Sequence, residues 1–305
     1  MCTAITYQDH SKNIFGRTMD LPTLNTPWEL TYLPSNYQFT RYTDQIKFQS
    51  KYAILGGMRQ TNGKFLIGDG INAAGLVIAE LYLPNLPQYH QQIQPNKINL
   101  APQDVTEWVL ANYDSVASVQ ADLANWALVA SKWYDEAIIH QFHWMLVDQT
   151  GTYLIEPTAL KLEIRKLDIP VITNAPRYDD HLRRLARYIN LDADQDFKTT
   201  LKEFAGDLPI NPRTPTQRFQ YAAIRQAKLQ SASTPDDLNQ ILQAVKMEHL
   251  TGHEDYTHYI GTIDLMTQTY VYHDVDRHQT KRVRLNQLTP LKTPYIFHPR
   301  NYKRS

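Results

Sequence analysis

The chain has 305 residues, 42% of them hydrophobic and 20% charged, with 31 basic side chains against 31 acidic ones. That composition belongs to a globular protein long enough to bury a large core, and it excludes a disordered chain. Zero formal net charge gives no electrostatic reason to expect nucleic acid or an anionic membrane as partner, and a lone cysteine, Cys2, excludes an internal disulfide framework and any multi-cysteine metal site.

In chain order, residues 2–7, 13–17, 28–33, 51–56 and 75–83 are short β-prone runs separated by turn-formers. The period then changes. Val105, Val109 and Leu110 recur at helical spacing after Pro102, and Val116, Val119 and Leu123 do so after Ser115. Strand patterns resume at 142–148, 153–156, 162–166 and 171–173. Beyond Pro176 a helix carries Leu182, Leu185 and Ile189; another starts near Thr214-Pro215, and a third at Thr234-Pro235-Asp236-Asp237 has a capping threonine, a proline at its first position and acidic residues in its first turn. Residues 192–215 read as a loop, and strands return at 258–264, 268–273 and 281–285. Strand and helix blocks alternate without a βαβ beat, which predicts an α+β fold of antiparallel sheets covered by helices, in a single domain over 1–305. There is no basic leader followed by an apolar core and no apolar run near the roughly 18 residues that span a bilayer, so a cytoplasmic protein is expected.

Cys2 follows the initiator methionine. Removal of Met1 is expected because cysteine is small, and it would put a thiol (reference pKa about 8.5) and an α-amine (about 7.7 to 8.0) on one residue. The amine can take the thiol's proton and later protonate a leaving nitrogen, so nucleophile and base need no separate histidine. Because residues 9–13 are turn-like, the strand with Arg17 and Asp20 can fold back beside Cys2. There the arginine would favour thiolate and the carboxylate would orient the amine. Asn174 ends a β-prone run before Ala175-Pro176, where its amide suits an oxyanion donor worth about 3 kcal/mol. Metal chemistry is not expected: His253 and His258 are five apart where a helical HExxH needs four, and His140 and His143 sit three apart in a β-prone run, on opposite faces. No cofactor motif appears.

These residues resemble the choloylglycine hydrolase family, the N-terminal-nucleophile (Ntn) hydrolases that include bile salt hydrolases and penicillin V acylases. The resemblance runs through Met1-Cys2-Thr3, Phe15-Gly16-Arg17-Thr18-Met19-Asp20, Asp69-Gly70-Ile71-Asn72 with Gly75-Leu76, His143-Trp144-Met145, Thr173-Asn174-Ala175-Pro176 and Thr214-Pro215-Thr216-Gln217-Arg218-Phe219. It implies a four-layer αββα sandwich, a Cys2 nucleophile flanked by Arg17 and Asp20, a second active-site arginine at Arg218, an oxyanion hole from Asn174 and the backbone N–H of Tyr82, no cofactor, and assembly as a homotetramer. Tyr82 resembles penicillin V acylases, where bile salt hydrolases typically carry asparagine, so the expected activity is cleavage of a linear amide with an apolar acyl group, penicillin V acylase-type first and conjugated bile acid hydrolysis as the alternative. The stretch from Gly206 to Arg213 departs from the family's glycine-rich assembly segment. Met19, Leu21, Met58, Ile67 and Tyr82 are expected to line an acyl pocket, gaining about 25 cal/mol per Å² of buried apolar surface. An N-acyl homoserine lactone acylase, a glutamine amidotransferase and a non-catalytic binding homologue remain as rival readings.

Overall fold

The first two strands, Thr3–Gln8 and Asn13–Leu21, pair antiparallel through a turn in which Asp9 accepts from the Ser11 N–H and donates its own N–H to the Lys12 carbonyl. The computed structural model describes residues 2–22, 27–132, 138–250 and 255–298; His253 lies outside them. The hairpin register sets Thr3 opposite Thr18 and Ala4 opposite Arg17. The second strand also pairs with Tyr256–Asp264, and the six-stranded sheet is completed by Val171–Ile172 beyond the first strand and by Thr269–Asp274 and Gln279–Arg284 on the other side. A second, eight-stranded sheet takes Ile164–Lys166, Gly151–Ile155, Phe142–Asp148, Val77–Tyr82, Lys64–Asn72, Ile54–Thr61, Glu29–Leu33 and Tyr295–Ile296 in that order.

The two sheets stack, and helices cover their outer faces. Val105, Val109 and Leu110 of helix Asp104–Asn112 pack on the outside of the second sheet against Ile54, Ile78 and Leu146. Leu238 and Leu242 of helix Pro235–Val245 and Phe219 and Ala223 of Pro215–Ala227 cover the first sheet, alongside Tyr178–Tyr188. Alternation along the strands decides which residue meets which layer. Phe15, Arg17 and Met19 point between the sheets. Gly16, Thr18 and Asp20 point under the helices; a Cβ on Gly16 would fall 2.7 Å from Leu242 Cδ1. The four-layer α+β sandwich expected from the sequence is the fold observed.

Three departures have local causes. Helix Phe197–Glu203 lies inside the stretch expected to be loop; Asp196 caps it, accepting from the Thr199 N–H at 2.8 Å, and Leu201 anchors it in the core. Strand Lys64–Asn72 escapes a propensity reading because Gly68 and Gly70 weaken the pattern. The strand expected to end at residue 56 continues to Thr61 through a bulge between Gly57 and Met58. Gly57 is required there, since a Cβ would lie 2.2 Å from the Tyr259 hydroxyl.

Candidate active site

Cys2 sits at the head of the first strand, buried, with its face set by the strand's alternation toward the gap between the sheets. Its backbone nitrogen donates to Asn174 Oδ1 at 2.7 Å, and its thiol lies 3.8 Å from the Asp20 carbonyl. The neighbouring strand end at Val171–Ile172 carries Thr173 and Asn174 past the last paired residue, which is why Asn174's amide is available to side-chain and backbone partners. Asn174 is shared three ways. Oδ1 accepts from Cys2 and from Arg218 Nη2 (2.8 Å), while Nδ2 donates to the Tyr82 carbonyl at 2.7 Å and keeps one N–H for another acceptor.

Arg218 comes from the fourth position of helix Pro215–Ala227, whose start is fixed by a Thr214–Gln217 capping box and by Pro215. From that start, Arg218 and Phe219 both face the sheet, and both are buried. The Arg218 guanidinium donates to the Cys2 carbonyl (2.7 Å), to Thr3 Oγ1 (2.8 Å) and to Asn174, and it lies 3.8 Å from Asp20 Oδ2. Burial lowers its pKa, with the charges of Asp20, Cys2 and Asp255 opposing. Asp20 is itself fixed by the hydroxyls of Thr257 (2.6 Å) and Thr18 (3.1 Å).

Arg17 reaches the same cysteine from the other face of the hairpin. It donates to the Gly68 carbonyl at 2.7 Å and stands 3.6 Å from Asp69, which also accepts hydroxyl bonds from Tyr259 and Tyr270, each at 2.5 Å. Burial opposes the guanidinium charge, but Cys2 foremost, then Tyr259, Asp69 and Glu80, outweigh it and hold Arg17 protonated above its ordinary range. Burial pushes Asp69 upward, against Arg17 and the two hydroxyls. A fixed positive charge therefore lies on each side of the thiol.

Tyr82 closes the group. The Leu83 N–H donates to the Gln141 carbonyl at 2.7 Å, and in an antiparallel ladder the next residue's N–H points to the opposite edge. On that edge the pairing with Lys64–Asn72 has already stopped, at Asp69 opposite Ala79. The Tyr82 N–H thus faces the cavity that opens beside Cys2.

That cavity, about 260 Å³, is lined by Cys2, Met19, Leu21, Trp28, Leu66, Phe142 and Tyr82 among others. The structure brings Cys2, Arg17, Asp20, Asn174, Arg218 and Tyr82 together, with Met19 and Leu21 in the cavity wall. It does not bring Met58 and Ile67 there. These two pair with each other across strands on the outer face of the second sheet, in the core under helix Asp104–Asn112, because the bulge after Gly57 resets the alternation. Trp28, Leu66, Glu80 and Phe142 are wall residues the sequence reading missed. For Glu80 the signal was available: it stands two residues before Tyr82 on one strand, hence on the same face.

Behind Asn174, His181 Nε2 meets the Asn174 carbonyl at 2.9 Å, and its ring stacks on Phe219 at 4.7 Å. A bond to a carbonyl requires the hydrogen on Nε2. Burial lowers the His181 pKa from 6.5 to about 4, only partly opposed by that bond. The unfolded chain takes this proton near pH 6.5 and the native state only near 4, so stability falls as pH drops through that window, by up to about 3 kcal/mol. Urea unfolding at about pH 7 and about pH 4.5 should show a smaller acid loss for His181→Gln than for wild type; equal losses would show that His181 does not titrate this way.

Two antiparallel sheets stacked between helices, with a cysteine heading the first strand, are the build of N-terminal-nucleophile amide hydrolases. The chain belongs to the choloylglycine hydrolase family of linear amide C–N hydrolases, whose family model matches residues 2–294. It is 28% identical over 307 residues to a bile salt hydrolase/transferase of Clostridium perfringens, covering 94% of this chain and 93% of that one. Among solved structures it is similar to a conjugated bile acid hydrolase from Clostridium perfringens, with TM-score 0.84, 25% identity and coverage of 98% and 97% of the two chains. A penicillin V acylase from Agrobacterium tumefaciens shares the fold, with TM-score 0.75, 19% identity and coverage of 94% and 87%. The protein is a hydrolase of linear amides. No helix among the described residues is long and apolar enough to cross a membrane.

Proposed function

We propose that the protein is a cysteine amidohydrolase that cleaves conjugated bile acids, with Cys2 as nucleophile once Met1 is removed. The observation that carries the catalytic part is the three-way role of Asn174, which joins the Cys2 nitrogen, Arg218 and Tyr82, beside a largely apolar cavity that Cys2 and Tyr82 line. The bile acid part is supported by relatives matched over nearly the whole chain. They favour it over the penicillin V reading that Tyr82 suggests, for which the likeness is one of fold.

In the first step the α-amine of Cys2 takes the thiol proton and the thiolate attacks the amide carbonyl carbon. The resulting oxyanion accepts from the free N–H of Asn174 Nδ2 and from the Tyr82 N–H. The α-ammonium protonates the leaving nitrogen, the C–N bond breaks, and a thioester remains on Cys2. Water, losing a proton to the same amine, attacks the thioester and releases the acid and the thiol. Arg218 fixes the Cys2 carbonyl and Asn174; Arg17 keeps a positive charge beside the sulfur. Assembly as a tetramer belongs to the same proposal and is read by analytical ultracentrifugation.

Side-by-side hydrolysis of glycocholate and penicillin V tests the substrate. Faster release of glycine from glycocholate is expected. Faster penicillin V turnover would give the weight to Tyr82 instead, and inactivity on both would sink the proposal. Replacing Asn174 by alanine should lower kcat by about 10²- to 10³-fold, the usual loss of one oxyanion donor; a change confined to KM would remove Asn174 from that role.

A further inference from the structure

The cavity has a side that the hydrolysis scheme leaves unused. Where the strands Lys64–Asn72 and Val77–Tyr82 cease to pair, beyond Asp69 and Ala79, Leu66 lines the opening from one strand and Glu80 with Tyr82 from the other. Glu80 is 4% exposed. Its side chain points to the face opposite Ala79 and Leu81, toward helix Asp104–Asn112, and Thr106 Oγ1 of that helix donates to Glu80 Oε2 at 3.4 Å. That long bond is the one hydrogen bond to this carboxyl among the described residues. Met19, Leu21, Trp28 and Phe142 make much of the wall apolar, with Arg59, His140 and Asp255 among its polar members, and a carboxyl here is an expensive group to bury on one long hydrogen bond.

The partner's chemistry is restricted by the surroundings. The positive charges of Arg17 and Arg59 act on Glu80 and the negative charge of Asp69 opposes them, so two cations already share this carboxyl and a neutral guest suits it better than a cationic one. Burial pushes the carboxyl up to about 8, so at neutral pH it is largely protonated, able to donate and accept. A hydroxyl matches both protonation states, accepting from the acid and donating to the carboxylate.

We propose that Glu80 is a specificity-determining residue that hydrogen-bonds a hydroxyl on the acyl group, so that the site prefers amides whose apolar acyl body carries a hydroxyl over the same body without one. This rests on the proposed amidohydrolase function, with the acyl group seated in the cavity beside Cys2.

The test uses N-decanoylglycine and its hydroxy isomers, with the hydroxyl near the amide, mid-chain or at the tail, and reads kcat/KM from released glycine. For wild type, one isomer should exceed the bare acyl chain by about 5- to 30-fold, the range of one hydrogen bond to a neutral or charged partner. That ratio should collapse toward one in Glu80→Met and survive largely in Glu80→Gln, which keeps a donor and an acceptor. Replacing a buried carboxyl by an apolar side chain of similar volume is generally tolerated by the fold. Absence of any hydroxyl preference in wild type overturns the inference whatever the variants do, as does an undiminished ratio in Glu80→Met. Wild type that hydrolyses neither these amides nor glycocholate overturns the amidohydrolase proposal, and this inference with it; glycocholate turnover with no hydroxyl preference among the decanoyl amides overturns the inference alone.

Discussion

Cys2→Ala should abolish amide hydrolysis, lowering kcat by about 10⁵- to 10⁶-fold, the scale of losing a covalent nucleophile. Its folding stability should stay close to that of wild type. The sulfur is buried, but among the described residues its one hydrogen bond is a long one to the Asp20 carbonyl, so its removal deletes one small side chain at the edge of a cavity. The backbone contacts that hold residue 2, its nitrogen on Asn174 and its carbonyl on Arg218, do not depend on the side chain. Steady-state hydrolysis paired with urea unfolding separates the two effects. Retained turnover in a folded Cys2→Ala would place the nucleophile elsewhere.

Arg218→Met should damage both activity and stability. The guanidinium bonds residues 2, 3 and 174, and it is the cation set 3.8 Å from buried Asp20. Removing one partner of a buried pair strands the other charge, at a cost of about 3 to 5 kcal/mol. Asn174 loses one of the two donors that hold its Oδ1, so its Nδ2 is less firmly aimed at the proposed oxyanion position, and kcat should fall by at least about 10²-fold beyond any loss of folded protein. Arg218→Lys should recover part of the stability, since an ammonium restores charge, but little of kcat, since it cannot reproduce the planar fork on three acceptors. Lysine restoring kcat fully would reduce Arg218 to a charge.

The residues of the site were legible from sequence where local rules govern them. The turn at residues 9–13 and period-two alternation suffice to bring Arg17 and Asp20 back to Cys2, and the Thr214-Pro215 cap sets the helix face that carries Arg218. What alternation could not supply is the partition of the hairpin between two layers: Arg17 approaches the cysteine from between the sheets, Asp20 and Arg218 from under the helices. Met58 and Ile67 were misplaced for a related reason. A bulge shifts the face of every residue after it, and nothing in Gly56-Gly57 announces whether the strand ends or bends. Leu66 and Trp28 belong to the cavity only because two strands separate beyond Ala79 and the sheets stack there, both long-range facts. On substrate, one residue pointed one way and the whole chain another: Tyr82 suggests penicillin V, while relatives matched end to end are bile acid enzymes.

The central claim is that hydrolysis proceeds through a thioester on an N-terminal Cys2. Acid-quenching the protein during glycocholate turnover, followed by intact-mass and N-terminal peptide analysis, tests it most directly. The account predicts a chain lacking Met1 and a cholyl adduct confined to the peptide that begins at Cys2. Full activity from protein that retains Met1, or an acyl adduct on any other residue, would contradict it.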